Sequence, residues 1–349
     1  VTEIAYVGTS HGLENRVIPQ QPWIQFFKIR MRGFERRSLW RCLVAAGALP
    51  IGLWQSLRIL IKFRPDLIIG VGGYASFPPL LWGILLKIPT LIHEQNLRPG
   101  LANRVLARWV SKVCLSYSQT ARYLWAKSVV VTGLPVRPSL LEAKPRPEQF
   151  GLTPHRKTVC VVGGSRGSDF LTQTVLRAQP QLPEAQFLVV TGTRVGEPFG
   201  DLNSTSKTDR ELTHPFKLPT HARCGRRGRL VQVPYVEDMG AALAVADLVV
   251  CRAGASTLAE LTALGKPAIL VPWPGAAENH QVENARAAAR SGGFLVAIES
   301  ELDADKLGTL IHQLLHDESA LSQMKSRIPS QGRRTALDQI LREVEGLVQ

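Results

Sequence analysis

Cysteine is scarce in this sequence. The five residues, Cys42, Cys114, Cys160, Cys224 and Cys251 of 349, are odd in number and form no CxxC pair. This argues against a disulfide framework or a cysteine zinc site and suits a reducing compartment. Three of them sit in apolar runs (VCLSY, TVCVV, LVVCRAG), where a free cysteine packs as a small hydrophobe. Acidic residues are also in short supply, 28 Asp and Glu against 42 Lys and Arg, for a formal net charge of +14. That imbalance favours an anionic partner: nucleic acid, acidic lipid headgroups or a phosphorylated substrate. No apolar run reaches the ~18 residues a spanning helix needs. Leu43–Trp54 is interrupted by Pro50, and Leu80–Ile92 by Lys87 and Pro89. No signal-peptide pattern opens the chain. Any membrane contact is expected to be peripheral.

What is present is a strand–helix alternation. Short apolar runs occur at 4–8, 66–73, 89–96, 112–117 and 129–133, then at 158–164, 186–192, 230–235, 247–251, 267–273 and 293–298. Helix-like segments such as Asp169–Arg177 and Ser256–Leu264 lie between many of them. Unbroken β-branched runs alternating with helices predict an α/β fold with parallel sheets covered on both faces. The two series of strands predict two doubly wound domains facing each other across a cleft, with ligands at the carboxyl ends of the strands. Residues 1–134 form the first, 135–157 a Pro-rich charged linker, and 158–330 the second. A C-terminal helix in 331–349 is expected to pack back toward the first. The polar stretch 196–229 reads as a long loop.

Four places carry chemistry. In TVCVVGGSRGSDFLTQTVL (158–176) a buried strand runs into Gly163-Gly164-Ser165-Arg166-Gly167 and then a helix. Glycines there let the backbone approach a phosphate, and the free N–H groups of a helix start attract anions. In DLVVCRAGASTLAEL (247–261) a second strand enters a small-residue turn. Ser256 is the expected N-cap, and Glu260 lies within reach of a ribose diol. Glu278, Asn279, His280 and Gln281 open a third helix with amide groups suited to sugar hydroxyls. In the first half, GVGGYASFPP (70–79) and HEQNLRPGLANR (93–104) both come directly after strands and offer flexible backbone, a histidine and a carboxylate.

The ordered set GGY, HEQN, GLPVRP, GGSRGS, CRAGASTLAEL and NHQVENA resembles the MurG family over nearly the whole chain. The resemblance implies a glycosyltransferase-B fold, an inverting mechanism, no required metal and no cofactor. It implies transfer of N-acetylglucosamine from UDP-N-acetylglucosamine to an undecaprenyl-linked muramyl-pentapeptide, at the cytoplasmic face of the bacterial membrane, with an anionic membrane surface and no nucleic acid as partner. Carried over by motif, Ser165 and the glycine loop with Gly167 would hold the donor diphosphate, with Arg137 also facing the donor; Arg166, a residue of that loop outside the family pattern, is expected to add a positive charge beside the diphosphate. Val236 would pack near the uracil. Ala255, Ser256 and Thr257 line the turn, Glu260 would hold the ribose, and Gln281 a sugar hydroxyl. Asn96 would meet the donor from across the cleft. Gly72, Gly73, Tyr74, His93 and Glu94 would form the acceptor side.

The resemblance has departures. The family opens with a strand and a GGTGGH-like loop whose histidine is a candidate general base. This chain opens with VTEIAYVGTSHGLENRVIPQ, which resembles the family's next segment, after that unit. The natural gene is accordingly expected to encode another ~30 residues, about a strand, loop and helix. His11 lies in a different segment and does not fill the role, so no base is assigned. Arg166 stands where the family usually has Gln, and Leu134 where Asn is common. Two alternatives stay open: another glycosyltransferase-B enzyme, such as a diacylglycerol glycosyltransferase or a UDP-sugar epimerase, and a UDP-sugar-binding remnant without activity. Residues Lys28–Arg64 hold Arg30, Arg32, Arg36, Arg37, Arg41, Arg58, Lys62 and Arg64 among Trp40, Leu49, Ile51, Leu53, Trp54 and Phe63. That mixture suits an anionic lipid interface.

Overall fold

A computed structural model describes residues 3–10, 14–33, 39–164, 167–192, 223–224, 229–329 and 335–348. The chain divides into two compact units, Val1–Leu134 with Thr335–Gln349, and Pro135–Arg334.

The first unit holds two parallel sheets. β1 (Ile4–Gly8) pairs with β2 (Ile24–Lys28), and α1 (Glu14–Val17) lies between them in sequence. The four-stranded sheet runs β3 (Ile68–Gly70), β4 (Thr90–Glu94), β5 (Lys112–Leu115), β6 (Val129–Val131) in chain order. α2 (Leu39–Phe63), α3 (Phe77–Leu85) and α4 (Leu101–Leu106) join these strands. β2 has no counterpart among the expected strands: Gln25 and Lys28 leave IQFFK without a long apolar run, and its apolar residues are only partly buried. α2 also differs from expectation, because it continues through Pro50. Proline removes the bond to residue i−4. Here Ala46 and Pro50 are both exposed, so water can satisfy the freed carbonyl. Val44–Phe63 is thereby long and apolar enough, by length and composition, to cross a membrane. Its Ala45, Gly52, Ser56 and Leu60 are nevertheless buried on one face. The Trp82 indole of α3 donates to the Leu53 carbonyl at 2.8 Å, tying the helix to its neighbour.

Among the described residues the second unit holds a seven-stranded sheet, ordered β13-β12-β11-β7-β8-β10-β9. Its strands are β7 (Thr158–Val162), β8 (Gln186–Val190), β9 (Arg223–Cys224), β10 (Leu230–Val233), β11 (Leu248–Cys251), β12 (Ala268–Leu270) and β13 (Phe294–Val296). All pairings are parallel except β9 with β10. β7 shows why a short apolar run reads as a central strand. Val159 and Val161 join one core and Cys160 and Val162 the other, so both faces are covered. Burial pushes the Cys160 thiol up to about 12 and Cys114 to about 11, and raises Cys251 as well. These are inert core residues.

The helices of this unit are α5 (Pro138–Leu141), α6 (Asp169–Ala178), α7 (Met239–Ala244), α8 (Ala255–Ala263), α9 (His280–Ala289), α10 (Ala304–His316) and α11 (Glu318–Arg327). Residues 135–157, read as a linker from their proline and charge, supply buried Leu140, Phe150 and Leu152 to this unit's core. α12 (Ala336–Val348) groups with the first unit, where Lys112 meets Glu343 at 2.8 Å.

Candidate active site

Strand order points to a candidate site in the second unit. The chain winds outward through β8 and β10 on one side of β7, and through β12 and β13 on the other side of β11. β7 and β11 are therefore the topological switch point, where the loops leaving the strands diverge and open a crevice at the carboxyl ends.

The loop after β7 is built on glycine. Gly164 and Gly167 have φ of 87° and 74°, and the Gly167 N–H donates to the Gly164 carbonyl at 2.9 Å. A Cβ on Gly167 would lie 1.8 Å from the Thr191 carbonyl oxygen, and one on Gly163 would lie 2.4 Å from the Ser168 nitrogen. No other residue fits at either place without moving the backbone. Ser168 caps α6, its hydroxyl accepting from the Leu171 N–H at 3.3 Å. Ser165 and Arg166 lie outside the described residues.

The loop after β11 is joined to the first by Arg252. Its guanidinium donates to the Ser168 hydroxyl at 2.7 Å and to the carbonyls of Val271 and Pro272 at 3.2 and 3.4 Å. It also pairs with Glu299 and lies over the Phe170 ring. One buried side chain thus fixes the ends of β7, β11 and β12 together. The sequence places Arg252 inside a motif without assigning it a role. Its one signal there is a cation at a strand end immediately before a small-residue turn.

The expected N-cap at Ser256 is corrected. Gly254, with φ −67° and ψ 144°, occupies the cap of α8, and Ser256 is an exposed residue of the first turn with Ala255 and Thr257. Gly254 takes the extended cap conformation, and the chain is already helical when it reaches Ser256. Glu260 lies one turn on. Burial raises its pKa above the usual carboxylate value, and the positive charge of Arg137 partly offsets this. Arg137 is exposed and lines a hollow with Glu237 and Asp238. Val236 is buried and packs into the core.

Gln281 sits in the first turn of α9, where its side-chain oxygen accepts from the Trp273 N–H at 2.9 Å. The two residues before the helix, Glu278 and Asn279, are both left-handed, with φ of 51° and 55°. Strain of that kind in non-glycine residues concentrates at ligand sites.

In the first unit the HEQN motif ends β4 and ties the neighbouring loops together. His93 is buried, with Nε2 2.8 Å from the Gly133 carbonyl after β6, and burial lowers its pKa. Glu94 is also buried. Its carboxylate accepts from the N–H groups of Asn96 and Gly100 at 2.9 and 3.0 Å and from Asn103 Nδ2 at 2.8 Å. Gln95 donates to the Val71 carbonyl at 2.9 Å, beside Gly72 and Gly73, whose φ values are 86° and 77°. The Asn96 carbonyl accepts from the Thr120 hydroxyl at 3.2 Å. Tyr74 is exposed. His93 and Glu94 thus hold the loops of this sheet edge in place. Gln95 and Asn103 share that work, and the sequence does not single them out.

Two family models match the chain. Residues 158–340 match the glycosyltransferase family 28 C-terminal domain, and residues 1–115 the glycosyltransferase family 28 N-terminal domain. A relative from Syntrophotalea carbinolica is 41% identical over 97% of this chain and 89% of its own. Another from Acetivibrio thermocellus is 37% identical over 99% and 90%. Both are named UDP-N-acetylglucosamine--N-acetylmuramyl-(pentapeptide) pyrophosphoryl-undecaprenol N-acetylglucosamine transferase. The crystal structure of Acinetobacter baumannii MurG superimposes with a TM-score of 0.70 at 25% identity, covering 99% of this chain and 91% of that one. The Staphylococcus aureus MnaA–UDP structure shares the fold alone, with a TM-score of 0.62 at 11% identity over 98% of this chain and 95% of that one.

Proposed function

The chain belongs to glycosyltransferase family 28, and from that membership we infer that it is an N-acetylglucosaminyltransferase of peptidoglycan synthesis. It carries N-acetylglucosamine from UDP-N-acetylglucosamine to undecaprenyl-diphosphate-linked N-acetylmuramyl-pentapeptide. The observation that carries the donor half is the β7/β11 switch point, where the glycine loop, Arg252 and the start of α8 converge.

In this reading the glycine loop around Gly167, with Ser165 and Arg166, receives the diphosphate, because main-chain N–H groups at a helix start stabilise anionic oxygens. Glu260 accepts from the ribose hydroxyls, Arg137 faces the donor, and Gln281 binds a sugar hydroxyl. On the first unit Gly72, Gly73 and Tyr74 form the acceptor side, on loops held by His93 and Glu94. The acceptor hydroxyl oxygen attacks the anomeric carbon as the bond to the UDP oxygen breaks. UDP leaves with the electron pair, its charge stabilised by the loop amides, and the acceptor proton passes to a base. UDP release measured with the lipid-linked muramyl-pentapeptide and with diacylglycerol tests the acceptor. Turnover is expected with the first alone, and turnover only with diacylglycerol would reassign the enzyme.

The acceptor is a lipid, and the exposed face of α2 supports a peripheral contact with the cytoplasmic side of the membrane. Ile51, Trp54 and Ile61 are 42%, 57% and 60% exposed and share that face with Arg58, which stacks on Trp54. Apolar side chains with interleaved cations suit anionic lipid. The protein is expected to sediment with phosphatidylglycerol vesicles, less with phosphatidylcholine, and to be released by the double change Ile51→Glu and Trp54→Glu. Unchanged sedimentation of that variant would remove α2 from the interface.

A further inference from the structure

At the opposite end of the second unit's sheet, three potential metal ligands converge. His312 and His316 are four residues apart on α10 and so share one face of the helix. Glu184 comes from the turn that precedes β8. Its Oε1 lies 3.3 Å from His312 Nδ1 and 3.5 Å from His316 Nε2, and the imidazole centroids are 4.0 Å apart. One donor atom from each residue lies within 4.8 Å of the other two. We propose that Glu184, His312 and His316 form a binding site for a borderline divalent transition metal, zinc above all.

The distances fit such an ion. Ligand bonds of about 2.0–2.2 Å in a tetrahedron place neighbouring donors about 3.4 Å apart. Both Glu184–imidazole separations match that edge, and the donor atoms of the two exposed histidines lie within 4.8 Å of each other. Two imidazoles and one carboxylate favour zinc, nickel or copper over magnesium, which prefers oxygen.

The carboxylate is also held in place. Leu182 and Ala185 on either side of it are buried. Arg156 donates to the Glu184 carbonyl at 3.2 Å, and Arg229 to the Pro183 carbonyl at 3.0 Å. Gln181 bonds Asp305 at 2.8 Å, linking the same turn to the start of α10. The histidines are exposed, so an ion enters from solvent and keeps a position for water. The glycine loops lie at the carboxyl ends of the strands, away from this turn. A bound ion would therefore clamp α10 to the sheet and take no part in transfer.

Calorimetric titration of the chelator-treated full chain with zinc chloride, and separately with magnesium chloride, tests the site. One equivalent of zinc is expected to bind, magnesium is not expected to compete, and zinc is expected to raise the melting temperature. His316→Ala and Glu184→Gln should each weaken zinc at least tenfold while leaving the metal-free melting temperature and UDP affinity unchanged. A control change, His155→Ala, should have no effect on zinc. Absence of zinc uptake, or equal uptake by the His316→Ala variant, would overturn the proposal and leave a hydrogen-bonded His–Glu cluster.

Discussion

Replacing Arg252 with methionine is expected to lower the stability of the second unit by about 2–4 kcal/mol and to weaken UDP at least tenfold. Methionine keeps much of the apolar length and removes every hydrogen bond. The Val271 and Pro272 carbonyls, the Ser168 hydroxyl and the Glu299 carboxylate all lose the same donor. Removing one partner of a buried ion pair costs ~3–5 kcal/mol, and Glu299 retains some access to water, which reduces the figure. The effect on UDP is indirect, because Arg252 holds Ser168 at the start of α6 and so fixes the glycine loop. Urea unfolding and UDP titration separate the two effects. Arg252→Lys should recover part of the stability, since a cation returns without the fork that reaches three strand ends. A methionine variant with unaltered stability and unaltered UDP affinity would show that the two loops are positioned without Arg252.

Glu260→Ala is expected to weaken UDP by ~1.5–3 kcal/mol, or roughly ten- to a hundredfold, the range for a hydrogen bond to a charged group. The protein should not lose stability in proportion. Burial raises the Glu260 pKa above 4.5, so folding favours the protonated acid. The associated stability is fully present below about pH 4.5 and is lost as pH rises through the folded-state value. Glu260→Gln, which carries no charge to desolvate, should therefore melt no lower than the parent at neutral pH, and the difference should shrink on acidification. UDP calorimetry with melting curves at several pH values checks both expectations. Unchanged UDP affinity in the alanine variant would remove Glu260 from the donor site.

Much of the scaffold was legible because buried parallel strands leave a plain mark. TVCVV, QFLVV and LVVC are fully buried runs between helices, and each forms a strand where the sequence indicates one. IQFFK was not legible, because Gln25 and Lys28 interrupt its apolar residues, which are only half-covered. Pro50 misled for a related reason. A proline is a local signal to stop, whereas the continuation of α2 depends on which side of the helix faces water. Residues 135–157 carry the surface signs of a linker, yet Leu140, Phe150 and Leu152 complete a core built by strands far along the chain.

The sequence alone determined the fold class, the family and the glycine loop. Periodicity, small-residue turns and motif order are local properties, and they survive without coordinates. The tertiary structure decided what individual side chains do. His93 and Glu94 read from the sequence as acceptor-side residues, and the structure adds that their hydrogen bonds hold Gly133, Asn96, Gly100 and Asn103. Arg252 reads as one basic residue among 42 Lys and Arg, and only the pairing of β11 with β7 brings it to Ser168. Glu184 and His312 are 128 residues apart in sequence and meet because α10 packs beside the turn into β8. A hydrogen bond or a ligand set depends on distances of a few ångströms between distant segments. Those distances are set by strand order and helix packing, which no local pattern encodes.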